Sequence, residues 1–220
     1  MIRAVLFDLD GTLADSEALI AAGIVRALAE HGYEVTPRQV LAILGPPMTE
    51  MVTMLVGPVT DEQYTGIRAA YLRDYHDIQL PNVQPLPGAP ALLDALKARS
   101  IPLAIVTNKI ESGAHDQVAA LGWTARFATV IGADTAGLAK PYPDPALLAL
   151  ARLAVDAHDA AFVGDTGADM ECATAAGIPV RIGIAHVRTP EALRAAGATH
   201  IAHHLDDAAA VLLGAPVRDA

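Results

Sequence analysis

Acidic residues follow two of the apolar runs in this sequence, at the point where each run ends. Asp8 and Asp10 come directly after the first run, and Asp165 follows a later one. Asp169 stands one helical turn beyond Asp165. Carboxylates that meet at one place repel one another unless a cation lies between them. A hard divalent ion with oxygen ligands, Mg²⁺ above all, removes that repulsion, so the pattern favours a metal site.

Lysine is rare in the chain, which makes its positions informative. The lysines are Lys97, Lys109 and Lys140, and two of them stand beside loops expected at one sheet edge. Lys109 follows Thr107-Asn108 at the end of a third apolar run, and Lys140 precedes a proline-rich turn. Lys140 can supply a compact positive charge to a phosphate group, whereas Lys109 is equally well explained as a solvated surface residue.

Short β-branched runs alternate with longer helical patterns, which predicts an α/β fold with a Rossmann-like parallel sheet. The expected strands are Ile2–Phe7, Leu103–Val106, Ala128–Ile131, Ala160–Val163, Val180–Ile182 and a short one near Ile201. Helices are expected at Ser112–Leu121, Pro145–Leu153 and Asp169–Ala176. Thr36 and Asp144 each precede a proline and are expected to be N-cap residues. Since ligands bind at the carboxyl ends of parallel strands, Asp8, Thr107 and Asp165 are expected to meet.

The first two predicted strands are about 95 residues apart, too far for one ordinary crossover. The residues between them show only helical periodicity, with Tyr64, Ile67 and Tyr71 on one face. The segment Pro81–Gly88 has the composition of a linker. We therefore predict a helical insert at 15–83 within an α/β core formed by 1–14 and 84–220.

Composition excludes several classes of function. The chain has 220 residues, of which 53% are hydrophobic and 18% charged, so a packed core is expected rather than disorder. A net charge of −10 repels a phosphate backbone, which argues against nucleic acid as a partner. The longest apolar stretch, Pro145–Val155, is interrupted by Arg152 and is too short to cross a membrane. Asp8 interrupts the first apolar run too early for an export signal, and the lone Cys172 fits a reducing compartment, so a cytoplasmic location is predicted.

Four segments resemble, in order, the motifs of the haloacid dehalogenase superfamily of phosphohydrolases. They are Asp8-Leu9-Asp10-Gly11-Thr12, Thr107-Asn108, Lys140-Pro141 and Gly164-Asp165-Thr166-Gly167-Ala168-Asp169. The resemblance spans essentially the whole chain, includes a helical cap after the first motif, and is greatest to the phosphoglycolate phosphatase-like branch. It implies a Rossmann-like catalytic core, an inserted α-helical cap domain and a phosphoric monoester hydrolase that uses Mg²⁺.

The resemblance also assigns roles to the matching residues. Asp8 would be the nucleophile that takes the phosphoryl group as an aspartyl-phosphate. Asp10 would protonate the leaving oxygen and then activate the hydrolytic water. Thr107, Asn108 and Lys140 would bind the phosphoryl group and neutralise its charge.

The metal and turn residues are implied in the same way. Mg²⁺ would be held by the carboxylate of Asp8, the main-chain carbonyl of Asp10 and Asp165, with Asp169 acting through water. Gly11 would be one of the phosphate-binding residues, and it would also let the chain turn sharply past the nucleophile.

Differences from other members of the superfamily reduce the number of reactions that the chain could catalyse. Asp10 disfavours carbon–halogen and carbon–phosphorus cleavage, since dehalogenases and phosphonatases of the superfamily lack that second acid. Phosphoglucomutase-like members of the superfamily hold a second phosphate with a cap arginine and have a histidine early in the first cap helix. The segments that resemble these, Gly45–Glu50 and Ser16–Arg26, carry no arginine and no histidine respectively, which disfavours a mutase. Hydrolysis of a small phosphorylated metabolite is therefore favoured, and the triplet Thr107-Asn108-Lys109, which resembles that of phosphoglycolate phosphatases, favours a phosphoglycolate-like substrate. A β-phosphoglucomutase-type phosphosugar mutase, a pyrophosphatase or nucleotidase, and a non-catalytic binding module stay open, as do a monomer and a homodimer.

Overall fold

The computed structural model describes residues 1–214, so the last six residues of the predicted core lie outside the described part. The chain forms two compact units. One consists of Met1–Ala14 together with the chain from Pro85 onward, and the other is Asp15–Gln84. The first unit is therefore discontinuous in sequence, and the second is contiguous.

A six-stranded parallel sheet organises the first unit, in the order β5-β4-β1-β6-β7-β8. The strands of the chain are β1 (Ala4–Phe7), β2 (Ala14–Asp15), β3 (Gln84–Pro85), β4 (Leu103–Val106), β5 (Thr129–Ile131), β6 (Ala160–Gly164), β7 (Val180–Ile184) and β8 (His200–Ala202). The two-residue strands β2 and β3 pair with each other at the connections between the units. The predicted parallel α/β sheet is confirmed.

The central strand β1 pairs with β4 on one side and with β6 on the other. Phe7, its last residue, is in register with Ile105 and with Val163. All four residues of β1 are fully buried, as expected for a strand covered on both faces. The residue after Phe7 is thereby fixed between the ends of β4 and β6.

The contiguous unit is a small helical bundle with its own core. Its helices are α1 (Glu17–Ala29), α2 (Pro37–Ile43), α3 (Met48–Val56), α4 (Asp61–Asp74) and α5 (Leu80–Asn82), with one π-helical turn at Tyr75–Gln79. Thr36 and Thr60 each close a capping box with a glutamine three residues later, which begins α2 and α4. Ile24, Leu28 and Ile67 are buried in the core of the bundle.

Helices of the first unit cover the sheet. They are α6 (Ala89–Ala98), α7 (Glu111–Ala120), α8 (Asp144–Leu153), α9 (Gly167–Ala175), α10 (Pro190–Ala195) and α11 (Leu205–Leu213), with a 3₁₀ turn at Ala157–Asp159. The expected N-cap at Asp144 is wrong, because Pro143 holds that position and Asp144 is already the first helical residue. An acidic residue in the first turn still complements the helix dipole there. Among residues 1–214, no helix is long and apolar enough to cross a membrane.

The thiol of Cys172 lies in the apolar core beneath the sheet, packed with residues such as Leu6 and Phe162. Burial raises its pKa to about 12, so almost no thiolate exists near neutral pH. We expect iodoacetamide to leave the native protein unmodified and to alkylate this single cysteine fully in guanidinium chloride, as read by intact mass. Rapid alkylation of the native protein would show instead that the core around Cys172 opens.

Candidate active site

Asp8 occupies the end of the central strand. Its main-chain N–H donates to the carbonyl of Val163 at 2.9 Å, so the residue continues the β1–β6 ladder. Its side chain is only 9% exposed. The chain then turns through a tight loop in which the amide of Ala14 returns to the carbonyl of Leu9. A carboxylate is therefore held rigidly at the middle of the carboxyl edge of the sheet.

Two more buried carboxylates lie beside Asp8. Asp165 follows β6 and Asp169 lies in the first turn of α9, and one oxygen from each of the three falls within 4.8 Å of the others. The hydroxyl of Thr12 donates to Asp165 Oδ1 at 2.6 Å. Asp169 Oδ2 accepts from the hydroxyl of Thr166 at 2.6 Å and from its main-chain N–H at 2.9 Å. Asp8, Asp165 and Asp169 thus lie together at the strand ends, whereas the side chain of Asp10 is not part of this cluster.

Lys140 is the cation of this cluster, and its side chain is 2% exposed. Its Nζ donates to Asp169 Oδ1 at 2.6 Å and to the carbonyl of Val106 at 2.8 Å, and it lies 2.9 Å from Asp8 Oδ1. Burial by itself lowers the pKa of a lysine, but the charges of Asp169 and Asp8 outweigh it, so the pKa of Lys140 is raised. The ammonium group is therefore permanently charged in the working range of pH.

The nearby positive charge of Lys140 only partly offsets the cost of burying the Asp8 carboxylate. Burial raises the pKa of its carboxyl to about 7, against the opposing charge of Lys140, and the neighbouring charges of Asp169 and Asp10 add to the rise. Within residues 1–214, no donor meets Asp8 Oδ1 with hydrogen-bond geometry, although that atom is buried. A buried carboxylate oxygen without a donor, next to two further carboxylates, suits a hard divalent cation with oxygen ligands. The residues present therefore fit Mg²⁺.

Thr107 and Asn108 follow β4, on the other side of Asp8. Thr107 is 2% exposed and its N–H continues the ladder to the carbonyl of Ile131 at 2.9 Å. The side chain of Asn108 forms two hydrogen bonds with the main chain of Lys140, its amide donating at 3.1 Å and its carbonyl accepting at 2.9 Å. The Asn108 side chain thus fixes the loop that carries Lys140, while the main chain at 107–108 remains the candidate for phosphate contact.

The side chain of Asp10 contacts Gln117 in α7 and Lys109 in the loop before that helix. Its Oδ1 accepts a hydrogen bond from Gln117 Nε2 at 2.8 Å, and its Oδ2 lies 2.8 Å from Lys109 Nζ. The Lys109 side chain is 10% exposed, so the solvated-surface interpretation of that lysine is wrong. Gln117 is not among the predicted site residues, and the signal that could reveal it is an amide on the buried face of α7.

Two glycines give the acidic side chains their space. Gly11 has a φ of +76°, and a Cβ there would stand 2.7 Å from Asp165 Oδ2. A Cβ on Gly164 would overlap the carboxyl carbon of Asp169. Any larger residue at Gly11 or Gly164 would displace a member of the carboxylate cluster.

The comparison with known proteins agrees with this arrangement. The family model of the haloacid dehalogenase-like hydrolases matches residues 5–182, which include every element of the site. The chain belongs to this family.

Relatives of this haloacid dehalogenase-like hydrolase include phosphatases. A phosphoglycolate phosphatase from Xylella fastidiosa is 34% identical over 190 residues, covering 86% of this chain and 83% of the relative. One from Aquifex aeolicus is 33% identical over 177 residues, covering 80% and 82%. A solved haloacid dehalogenase-like hydrolase from Streptococcus pneumoniae has a TM-score of 0.82 and 27% identity, covering 96% of this chain and 98% of that one. The prediction of a phosphatase of this family, resembling the phosphoglycolate phosphatases, is confirmed.

Proposed function

We propose that this haloacid dehalogenase-like hydrolase is a Mg²⁺-dependent phosphatase that hydrolyses a small phosphate monoester, with a phosphoglycolate-like substrate favoured. The observation that carries the proposal is the buried Asp8 carboxylate at the central strand end, which lies 2.9 Å from Lys140 Nζ and forms a close group with the carboxylates of Asp165 and Asp169. The phosphoglycolate phosphatases among its relatives support the substrate class.

The proposed reaction has two steps. An oxygen of Asp8 attacks phosphorus, the bond between phosphorus and the leaving oxygen breaks, and Asp10 gives its proton to that oxygen. Asp10 then takes a proton from water as the water attacks the aspartyl-phosphate, which releases inorganic phosphate and regenerates Asp8. The protein's main contribution to such a transfer is positioning and charge neutralisation.

Positive charge and main-chain donors support the phosphoryl group in this proposal. Lys140, held by Asn108 and by the carbonyl of Val106, faces Asp8 and neutralises charge on the transferred group. Thr107 and the main chain of Asn108 stand at the end of the adjacent strand, where phosphoryl oxygens would be bound. Gly11 keeps the turn beside Asp8 open.

Mg²⁺ would be held by Asp8, Asp165 and the main-chain carbonyl of Asp10. Both carboxylate oxygens of Asp169 already accept hydrogen bonds from Lys140 and Thr166, which favours action through water. The ion, when bound, supplies charge neutralisation to the phosphoryl group. A cytoplasmic location and the lack of a nucleic-acid or membrane partner stay predictions from composition.

The test is phosphate release from a panel of phosphoglycolate, sugar phosphates, nucleotides and pyrophosphate, with Mg²⁺ or with EDTA. We expect release that needs the ion, is greatest with a small monoester, and is lost in Asp8→Asn. An acid quench with ³²P-labelled substrate should leave label on the protein that hydroxylamine removes, as for an acyl phosphate.

Other outcomes would support a different function or contradict the proposed mechanism. Isomerised sugar phosphate without free phosphate would replace the proposal by the mutase, and a strong preference for pyrophosphate or nucleotides would replace the substrate class. Release that persists in EDTA or in Asp8→Asn would overturn the mechanism. Asp116→Asn makes the same chemical change on an exposed residue of α7 and is the matched control.

A further inference from the structure

Gln117 is a polar residue in an apolar position. It lies in α7 beside Ala114 and Val118, on the face that packs into the first unit, and is 2% exposed. Helix positions on a buried stripe are ordinarily aliphatic, because an amide must recover its lost hydration through hydrogen bonds. A reason for glutamine at this position must therefore lie in what its side chain contacts.

The amide nitrogen of Gln117 contacts Asp10. Gln117 Nε2 donates to Asp10 Oδ1 at 2.8 Å, while Lys109 Nζ lies 2.8 Å from Oδ2. The two oxygens of one carboxylate thus have separate donors, one on α7 and one on the loop before it. Two donors at opposite oxygens fix the rotation of the carboxylate plane as well as its position, which one donor cannot do.

We infer that Gln117 is a positioning residue for proton transfer, which orients the Asp10 carboxylate toward the leaving oxygen of the substrate. The inference rests on the proposed function, in which Asp10 is the general acid and base. The group that Gln117 contacts through Nε2 is Asp10, the proton donor of the proposed reaction, whereas Asp8, Thr107 and Lys140 are proposed to handle the phosphoryl group. Loss of Gln117 should therefore harm the step that needs a proton more than phosphate binding.

The leaving group distinguishes positioning from a merely structural role. An alkoxide such as that of phosphoglycolate needs protonation as it leaves, whereas p-nitrophenolate leaves without it. The ratio kcat/KM reports the steps up to release of the leaving group, and hydrolysis of the aspartyl-phosphate does not enter it. Comparing kcat/KM for these two substrates isolates proton donation by Asp10.

The variant is Gln117→Met, which keeps the length and flexibility of the side chain and removes the donor. We expect kcat/KM for phosphoglycolate to fall about 100-fold, within the range for general acid catalysis, and that for p-nitrophenyl phosphate to fall less than about threefold. Asp116→Asn, on the exposed side of the same helix, should change neither. Gln117→Glu, which cannot donate and places a like charge against Asp10, should reproduce the selective loss if Gln117→Met folds poorly.

An equal loss with both substrates, or no loss with either, would overturn the positioning role and leave Gln117 as a structural contact of α7. Its failure is distinct from failure of the proposed function. If the unsubstituted enzyme releases no phosphate from either substrate with Mg²⁺, both ideas fall. If it does so normally and the variant loses activity uniformly, only the inference about Gln117 falls.

Discussion

In the absence of metal, the Asp8→Asn variant should be more stable than the unsubstituted protein, and in the presence of Mg²⁺ it should release almost no phosphate. The pKa of the Asp8 carboxyl is 3.8 in the unfolded chain and about 7 in the folded protein. Such a group lowers the free energy of unfolding as the pH rises between these two values. At pH 8 the ionised Asp8 therefore costs stability, and an amide of the same shape does not. We expect a gain of about 1–3 kcal/mol in the free energy of unfolding and a loss of at least about 10³-fold in kcat.

Urea unfolding at pH 8 in EDTA measures the gain, and a phosphate-release assay with Mg²⁺ measures the loss. The gain should shrink as pH falls from 7 toward 4, because Asp8 then takes up a proton in the folded state. Asp116→Asn should alter neither quantity, since that carboxylate is exposed. A destabilised Asp8→Asn at pH 8 would mean that the pairing of Asp8 with Lys140 outweighs the cost of burying it. Asp8 is therefore expected to lower the free energy of unfolding while being required for catalysis.

Lys140→Met is expected to have the largest effect on stability of any single change in the site. It removes the ammonium group that lies 2.6 Å from Asp169 and 2.9 Å from Asp8, and it leaves both carboxylates buried without that charge. Breaking a buried pair by removing one partner typically costs about 3–5 kcal/mol. We expect that loss in urea unfolding at pH 8, together with a fall in kcat of about 10²-fold or more from the lost charge on the phosphoryl group.

The pH dependence and a double variant test the cause. Lys140 stays charged across this range, so its own titration changes nothing below pH 9. The cost should be largest above pH 7 and should shrink on acidification, as Asp8 becomes neutral. Asp8→Asn combined with Lys140→Met should cost less than Lys140→Met alone, because one uncompensated charge is gone. Lys97→Met, on the exposed side of α6, is the control, and a destabilisation no greater than that control would contradict the prediction.

The positions of the site residues could be foreseen because a parallel sheet brings the ends of its strands to one edge. Asp8, Thr107 and Asp165 are far apart in sequence, yet each directly follows a strand whose apolar residues mark its end. Pairing of β1 with both β4 and β6 then makes them neighbours. Their proposed roles in the reaction stay predictions.

Features that depend on one side chain or one hydrogen bond could not be foreseen. Gln117 carries no motif, and only the placement of α7 against the loop shows that it reaches Asp10. The π-helical turn at Tyr75–Gln79 spans five residues, and the strands β2 and β3 span two residues each. Periodicity over a window of several residues does not resolve such features.

The central place of β1 also bears on how the polypeptide acquires its structure during synthesis. The helical unit ends at Gln84 and can bury its own core once it has left the ribosome, whereas β1 must wait for β6, which ends at Gly164. At about 5–20 residues per second, that wait is on the order of 10 s. During it, the four apolar residues of β1 lack at least the β6 neighbour, and until β4 has been made they lack both, so they are open to pairing with other chains. The strand that carries Asp8 is thus made before the helical unit and completed long after it, so the aggregation risk of nascent chains is concentrated at this strand.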